Sequence, residues 1–374
     1  MIGPLRTLVR RAAHVTRARR PSRPAEGGSS QPKPRLFLHV GTHKTGTTAI
    51  QKFAANNRRP LERQGLMYPL YGGPRKANES HLALFHRLAG DKSPIRQAAV
   101  PAIIEAWVDR ARRSQLDVLL SAEAIWRHQL APQSSSARGG NTWADRRRRY
   151  LQTVADALSD FDIQVVMVLR DQDSFITSNY CEHIQKKTKP SELDFGAFCA
   201  KQQNTVLRYR HNIELFEQVF GPVIVMRYGD LIENGALTAN FFHRLGVNTQ
   251  RMRTVGRVRR SLSIPEALLK RHLCWRYDLD AKQADQALRD PRLAAILQQS
   301  LGACQRFWTS QAERKAFIDA YTDENEWIRA RFFSNDSQLF HFSAAPTLAP
   351  AEIPPDLDDA VRQVLAHHPV ACDP

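Results

Sequence analysis

Apolar residues along this chain gather into short β-prone runs, separated by stretches in which apolar positions recur at helical spacing. The runs are nearly continuous, as expected for strands that are buried on both faces of a parallel sheet. Because helical stretches follow them, we predict an α/β fold with a central parallel sheet flanked by helices. Strands are predicted at residues 36–40, 116–121, 163–169 and 222–231, and helices at residues 49–55, 79–88, 101–113, 145–158 and 240–246.

The last part of the chain has a different pattern. From residue 264 to 333 apolar positions keep helical spacing, first at Leu269, Leu273 and Trp275, so we predict a helical C-terminal part. Residues 336–374 form an Ala/Pro-rich tail, in which we predict one short helix at 356–368.

The beginning of the chain has the composition of a basic arm. Residues 1–35 hold nine Lys or Arg and one acid, Glu26, and they end in a cluster of Pro, Gly and Ser. Such a segment buries too little apolar surface to fold. We therefore predict a disordered arm over residues 1–34, with weak contacts to anionic membranes or other polyanions, and a folded domain over residues 35–335.

The net charge of +17 and the pI near 10.1 invite a polyanionic partner such as nucleic acid, an acidic glycan or anionic lipid. Much of the excess lies in the arm, and the basic runs lack interleaved aromatic residues, so no specific nucleic acid is predicted. Four consecutive arginines at residues 146–149 are predicted to form a solvated helix face.

Cysteine usage points to reduced thiols. The five cysteines form no C-x-x-C pair and no metal-like cluster with histidines, so we predict a cytoplasmic protein without a metal site. No apolar run approaches the roughly 20 residues that span a bilayer, and the N-terminus lacks the apolar core of a secretory signal.

Residues 35–53 join a predicted strand to a predicted helix through a turn of small and hydroxyl residues. The turn, residues 41–48, reads Gly-Thr-His-Lys-Thr-Gly-Thr-Thr, and we refer to it as the phosphate loop. At such a helix N-terminus the free backbone N–H groups and the helix dipole favour an anion. The hydroxyls of Thr45, Thr47 and Thr48 and the charge of Lys44 add to this preference. An ordinary Gly/Thr turn with a solvated lysine is the alternative that this stretch alone leaves open.

The position of the lysine separates two kinds of phosphate-binding loop. A Walker A loop places the lysine directly after the second glycine, whereas here Lys44 comes two residues before Gly46. The order Lys44-Thr45-Gly46-Thr47-Thr48 resembles the K-[ST]-G-[ST]-[ST] loop of sulfotransferases that use 3′-phosphoadenosine 5′-phosphosulfate (PAPS). This resemblance implies a P-loop-NTPase-like three-layer fold. It also implies that the 5′ side of the donor is bound by Thr42, His43, Lys44, Thr45, Gly46, Thr47 and Thr48.

A second motif follows the strand at 163–169. Arg170 comes directly after the strand, and Ser178 lies eight residues later on a predicted helix. This pair resembles the site at which the same family binds the 3′-phosphate of the donor. A guanidinium offers a bidentate fork to phosphate, and the hydroxyl adds one more donor.

A third feature resembles the family less specifically. Tyr228, Asp230 and Leu231 form a Tyr-x-Asp-Leu segment at the end of the strand-like run at 222–231. Farther along, Arg259, Arg260 and Ser261 lie in a basic loop at the position where the family closes a loop over the 3′-phosphate. The resemblance extends over residues 35–335 and is specific at the first two motifs.

The resemblance implies transfer of a sulfuryl group from PAPS to a hydroxyl or amine, with Lys44 at the leaving oxygen and no metal. The family uses a glutamate or a histidine as general base. Glu123, just beyond the strand at 116–121, is our first candidate and His81 is the second. A glutamate that caps the next helix and a histidine that caps or lies on the surface are the alternatives. A histidine base predicts a rate that falls near pH 6.5, and a glutamate base a rate that falls only in acid.

Acceptor pockets are usually built from loops, here residues 71–80 and 132–141. We predict a carbohydrate or glycolipid acceptor, with small metabolites also open. A P-loop kinase would share the fold and the loop, and Asp171 is the one acidic candidate near the second motif for its metal. A non-enzymatic protein that binds nucleic acid or another polyanion is the remaining alternative.

Overall fold

The computed structural model describes residues 32–71, 79–132, 142–186, 194–256, 261–343 and 346–367. Most of the predicted basic arm lies outside these ranges, as do Arg259 and Arg260. The same is true of most of the two loops at 71–80 and 132–141 that were predicted to build the acceptor pocket.

One five-stranded sheet forms the centre of the fold. Its strands are β1 Arg35–His39, β2 Leu66–Met67, β3 Asp117–Ser121, β4 Asp162–Leu169 and β5 Ile224–Arg227. Their order is β2-β3-β1-β4-β5, and every neighbouring pair is parallel. In the central strand, Leu38 pairs with Leu120 on one side and with Val165 on the other. The loops that follow the strands therefore leave from one edge of the sheet, with the phosphate loop in the middle.

Helices cover both faces of the sheet. In chain order they are α1 Thr47–Asn56, α2 Arg58–Arg63, α3 Leu82–Leu88, α4 Val100–Ser114, α5 Trp143–Ala157, α6 Gln172–Lys186, α7 Phe195–Gln203, α8 Tyr209–Phe220, α9 Tyr228–Ile232 and α10 Leu237–Arg244. Alternate residues of β1 face two apolar layers, with Leu36 and Leu38 in one and Phe37 in the other. Helices α3 to α8 pack on the layer of Leu36, and α1, α2, α9 and α10 on the layer of Phe37. The predicted α/β fold, with a central parallel sheet flanked by helices in three layers, is confirmed.

The predicted helical C-terminal part is also present. It comprises α11 Ile264–Arg276, α12 Ala281–Ala287, α13 Pro291–Leu301, α14 Gln311–Asp319 and α15 Thr322–Phe332. Helix α16 Pro355–His367 lies in the tail, where one helix was predicted at 356–368. Helices α11, α12, α13 and α16 share an apolar cluster of their own, whereas Phe317 of α14 and Ile328 of α15 join the layer of Leu36. The prediction that Trp275 belongs to the apolar face of α11 is wrong. Its side chain is 68% exposed, because α11 buries the face that carries Leu269 and Leu273.

Arg147 corrects the prediction that residues 146–149 are a solvated face. Its side chain is fully buried and donates to the carbonyl oxygens of Ile125 and His128, the latter at 2.6 Å. The guanidinium carbon also lies 5.1 Å from the centre of the Phe216 ring. Burial lowers the pKa of Arg147 to about 9. This arginine ties α5 to the segment after β3, so one side of the run is structural.

Within the described ranges, no helix is both long and apolar enough to cross a membrane. Cys181, Cys199, Cys274 and Cys304 carry free thiols there. Burial raises the pKa of Cys181 and of Cys199 to about 12, so these thiols stay protonated at neutral pH.

A buried carboxylate joins the C-terminal part to α6. Asp173 is fully buried, and its oxygens accept hydrogen bonds from Nε of Arg306 at 2.7 Å, Nε of Arg314 at 2.9 Å and Nε1 of Trp308 at 2.7 Å. Arg306 also donates to Oγ of Ser174 at 2.9 Å. One negative charge therefore serves two guanidinium groups that are themselves largely withdrawn from water.

We expect Asp173→Asn to lower the free energy of unfolding by roughly 3–5 kcal/mol, because it leaves buried cations without a counter-charge. Denaturant unfolding measures the change. Asp319→Asn is the matched control, since Asp319 pairs with Lys315 on an exposed helix surface and is expected to cost below about 1 kcal/mol. Equal stability of the two variants would show that the buried pairs do not hold the C-terminal part in place.

Candidate active site

The backbone of the phosphate loop turns sharply at three left-handed residues. Gly41, Lys44 and Gly46 have φ values of 97°, 62° and 75°. Gly46 is also the N-cap of α1, and a Cβ atom there would lie 2.2 Å from Cδ2 of Leu237. Glycine is thus needed at this position for its conformation and for its small size.

The N-terminus of α1 presents an unneutralised positive end. Among the described residues no side chain caps the helix, and its first turn holds no acidic residue. The first N–H groups of a helix lack partners inside the helix. With Thr47 and Thr48 as the first two helical residues, the geometry suits an oxygen anion at the loop.

The threonines of the loop divide between two roles. The hydroxyl of Thr42 donates to the carbonyl of Val168 at 3.2 Å, and that of Thr45 donates to the carbonyl of Thr42 at 2.6 Å. Both side chains are fully buried, so their hydroxyls hold the loop itself. Thr47 is nearly buried, whereas Thr48 is exposed at the helix N-terminus.

The two predicted donor-binding cations lie together. Nη1 of Arg170 donates to the carbonyl oxygen of Lys44 at 3.0 Å, and its guanidinium carbon lies 5.2 Å from the centre of the Tyr228 ring. Nζ of Lys44 lies 3.1 Å from Oε2 of Glu182 on α6. The ends of β1 and β4 therefore meet in one cationic crevice. Within the described ranges, Glu182 is the one carboxylate that contacts the Lys44 ammonium there.

Ser178 lies on the same face of α6 as Glu182, because residues four apart on a helix are neighbours. Since Glu182 contacts Lys44, Ser178 lies one turn away on the helix face toward the loop. Burial alone would raise the pKa of Glu182. The hydrogen bond from Lys186 and the charge of Lys44 outweigh it and hold the pKa at about 2, so Glu182 is a carboxylate at neutral pH.

His43 carries a ring nitrogen that is left without a partner in the described part of the chain. Its Nε2 atom is buried and has no hydrogen-bond partner among the described residues. Burial, followed by the charges of Arg127, Lys186 and Lys44, lowers the pKa of His43 to about 3 against the opposite effect of Glu182. The ring is therefore neutral, and the same electrostatic field favours a bound anion.

Glu123 lies against the phosphate loop. A Cβ atom on Gly41 would be 3.2 Å from Cβ of Glu123. The Glu123 carboxylate accepts a hydrogen bond of 2.9 Å from Nε2 of Gln51 on α1, and the same nitrogen lies 3.3 Å from Oγ of Ser121. Oγ of Ser121 is 2.9 Å from Nδ1 of His39 in β1. Glu123 opens a short 3-10 turn, but its carboxylate is held across the crevice by Gln51 and makes no cap.

His81 has no nitrogen to offer a substrate. Its Nδ1 accepts from the backbone N–H of Ser121 at 3.0 Å, and its Nε2 lies 3.0 Å from the carbonyl of Pro69, to which it donates. The ring is 1% exposed and packs edge-on against Tyr68 and Trp107. Burial lowers the pKa of His81 to about 4. These contacts fix the chain before α3 to the end of β3.

The third feature is only partly described. Residues 228–232 form helix α9, not the end of a strand. The Tyr228 ring packs under Arg170, and Asp230 pairs with Arg227 at 3.0 Å. Ser261 is exposed in the short segment before α11.

The sequence did not single out Gln51, Glu182 or Arg127. Gln51 and Glu182 carried a usable signal, since they lie one helical turn after the predicted site residues Thr48 and Ser178. Arg127 carried no such signal, because its electrostatic effect on His43 depends on how the turn after β3 folds.

Comparison with known proteins adds one distant likeness. No protein-family model matches the chain, and no curated protein matches it. Among solved structures, a sulfotransferase domain from the curacin biosynthetic pathway is similar at a TM-score of 0.34 and 12% identity, over 63% of this chain and 82% of that one. A likeness this distant assigns no activity, so the function must be inferred from the residues of the crevice.

Proposed function

We propose that this protein transfers a sulfuryl group from PAPS to a hydroxyl or amine of an acceptor. One observation carries the proposal. The guanidinium of Arg170, after β4, donates to the backbone carbonyl of Lys44, after β1, beside the N-terminus of α1, which no side chain caps among the described residues. A donor with phosphate groups at both its 5′ and 3′ ends needs two such anion sites close together.

The phosphate loop binds the 5′ side of the donor in this proposal. The backbone N–H groups at Thr47 and Thr48 hold the phosphate oxygens, and Nε2 of His43 is available for a further contact. Lys44 exchanges Glu182 for the bridging oxygen that leaves with the nucleotide. The positive charge of Lys44 then stabilises the negative charge that develops on this oxygen.

Arg170 and Ser178 bind the 3′-phosphate. Arg170 reaches from the end of β4 and is backed by the Tyr228 ring, while Ser178 projects from α6 one turn before Glu182. Ser261 with Arg259 and Arg260 remain the candidates for closing the site from the C-terminal side.

Glu123 is the general base that takes the proton of the acceptor. Its carboxylate lies next to Gly41 of the phosphate loop and is oriented by Gln51. We assign His81 a structural role, because protonation would break its acceptor bond from Ser121. A carbohydrate or glycolipid acceptor is the chemical class that we propose to test first.

A P-loop kinase is disfavoured by the site of Asp171. The Asp171 carboxylate accepts the backbone N–H of Ser174 at 2.7 Å and thereby caps α6, so it is already used where a kinase would hold its metal. Labelled PAPS and labelled ATP, each offered with a panel of glycans, glycolipids and phenols, distinguish the two reactions. Sulfate transfer supports the proposal, and phosphate transfer alone overturns it.

We expect Arg170→Ala and Ser178→Ala each to weaken binding of 3′,5′-diphosphoadenosine by about 1.5–3 kcal/mol, since each removes a hydrogen bond to a charged phosphate. This is roughly 10- to 150-fold in Kd, measured by calorimetry. Adenosine 5′-phosphate should bind both variants as it binds the wild type. Ser174→Ala is the control on the same helix, because Ser174 is engaged by Arg306. Unchanged selectivity for the 3′-phosphate would remove both residues from the donor site.

A further inference from the structure

Two histidines and an aspartate meet on the side of the fold formed by α3 and the turn after β3. Oδ2 of Asp91 lies 3.5 Å from Nδ1 of His86 and 3.4 Å from Nδ1 of His128. Nε2 of His128 lies 3.0 Å from Nδ1 of His86. One ligand atom from each residue falls within 4.8 Å of the other two.

The distances from Oδ2 of Asp91 to the two Nδ1 atoms suit a transition-metal site. Tetrahedral zinc with bonds of about 2.0–2.2 Å to nitrogen and oxygen separates its ligand atoms by roughly 3.3–3.5 Å. We propose that His86, Asp91 and His128 bind a divalent transition-metal ion such as Zn²⁺, with water as a further ligand. The proposal does not depend on the transfer reaction.

The backbone around the three residues is held by other contacts. The N–H of Asp91 donates to the carbonyl of His86 at 2.9 Å, which folds Asp91 back over the end of α3. The N–H of His128 donates to the carbonyl of Ala124 at 2.9 Å, and Arg147 donates to the carbonyl of His128 at 2.6 Å. The ligands are thus brought together before any ion binds, which lowers the entropy cost of binding.

The two exposed fractions show how the cluster is set into the fold. His128 is largely withdrawn from water, since its side chain is 11% exposed. Asp91, 54% exposed, leaves the cluster open to ions from solution.

The donor set also selects the class of ion. Imidazole nitrogens suit zinc and other first-row transition ions, whereas Mg²⁺ and Ca²⁺ prefer oxygen ligands. A bound ion would fasten the C-terminal end of α3 to the segment that follows residues 123–126, which include Glu123. The expected result of binding is therefore greater stability of this part of the fold.

The test uses the full-length chain without a polyhistidine tag, freed of metal with a chelator. Titration with Co²⁺ should give saturable visible absorption bands at one equivalent. Added Zn²⁺ should abolish the bands and raise the unfolding temperature, and Mg²⁺ should do neither. His86→Gln, Asp91→Asn and His128→Gln should each weaken Co²⁺ binding at least about tenfold.

His272→Gln is the matched control. His272 pairs with Asp358 at 2.7 Å but has no second histidine in that pair, so its loss should leave Co²⁺ binding unchanged. Because Asp91 is exposed, Asp91→Asn tests the site without disturbing the core. The proposal is overturned if the wild type shows no saturable Co²⁺ bands, or if the bands persist unweakened in all three variants. In the first case the three residues form only a hydrogen-bonded cluster, and in the second the ion binds elsewhere.

Discussion

Glu123→Gln is expected to lower the rate constant of sulfuryl transfer about 100- to 10,000-fold, the usual contribution of a general base. Glutamine has nearly the same shape, so it keeps the packing against Gly41. It cannot accept the proton of the acceptor. Affinity for 3′,5′-diphosphoadenosine should be close to that of the wild type, because Glu123 acts on the acceptor side of the donor.

Single-turnover transfer from labelled PAPS to an acceptor found in the panel measures this effect. Rates are best compared at pH 7. In the folded protein the pKa values of His39, His43 and His81 are lowered to about 3, 3 and 4, whereas the unfolded chain has values near 6.5. The stabilisation of the folded state by these neutral histidines is therefore fully present above pH 6.5. Stability is then lost as the pH falls below 6.5 toward those values, and an acid loss of activity mixes unfolding with catalysis.

Glu182→Gln is the control for Glu123→Gln, because it removes a second carboxylate of the crevice without removing the proposed base. It should retain transfer, since Glu182 pairs with Lys44 and is held as a carboxylate with a pKa of about 2. Near-normal turnover in Glu123→Gln would show that another group takes the proton. Loss of turnover in Glu182→Gln instead would place that role on α6.

The fold was predictable because its signals are local and strong. Continuous apolar runs such as residues 163–169 have few alternatives to a buried strand, and β4 begins one residue before that run and ends with it. β2 was not predicted, since two residues, Leu66 and Met67, carry no periodicity. The pairing of Leu66 with Asp117 of β3 determines that strand.

The phosphate loop was predictable for the same reason. Its glycines, its lysine and the following helix are neighbours in the chain, so their spacing is enough to predict the local geometry. The partners of the predicted residues were not predictable. Lys44 meets Glu182 across 138 positions of sequence, and Glu123 meets Gln51 across 72. Only the order of the strands brings them together.

Side-chain direction on helices was the other source of error. Four arginines at 146–149 look alike in the sequence, yet Arg147 alone of them is fully buried. Trp275 is apolar, yet it projects from α11 into solvent. The elements that pack on a helix determine which of its sides faces the core. The sequence pattern predicts that side as an average over the helix and not for each residue. The cluster of His86, Asp91 and His128 was missed likewise, because His128 joins the other two only through the fold.

Lys44→Ala is expected to lower the rate constant of transfer about 100- to 1,000-fold, as expected for loss of a group that stabilises developing negative charge. The effect on donor affinity should be far smaller. In the free protein Nζ of Lys44 already contacts Glu182 at 3.1 Å, so donor binding exchanges one anionic partner for another. The gain comes when the bridging oxygen takes up charge in the transition state, where the lysine contact strengthens.

The comparison of rate and affinity decides the role of Lys44. Single-turnover rates at saturating PAPS give the chemical step, and calorimetry with 3′,5′-diphosphoadenosine gives the affinity. Lys52→Ala is the control for the loss of a positive charge on the neighbouring helix, because Lys52 of α1 lies 4.0 Å from Glu79 and away from Glu182. It should change neither quantity by more than a few fold, since exposed ion pairs contribute about 0–1 kcal/mol. A Lys44→Ala variant with a normal chemical step and weakened binding would make Lys44 a binding residue, and the stabilisation of the leaving oxygen would then fall to the α1 N–H groups alone.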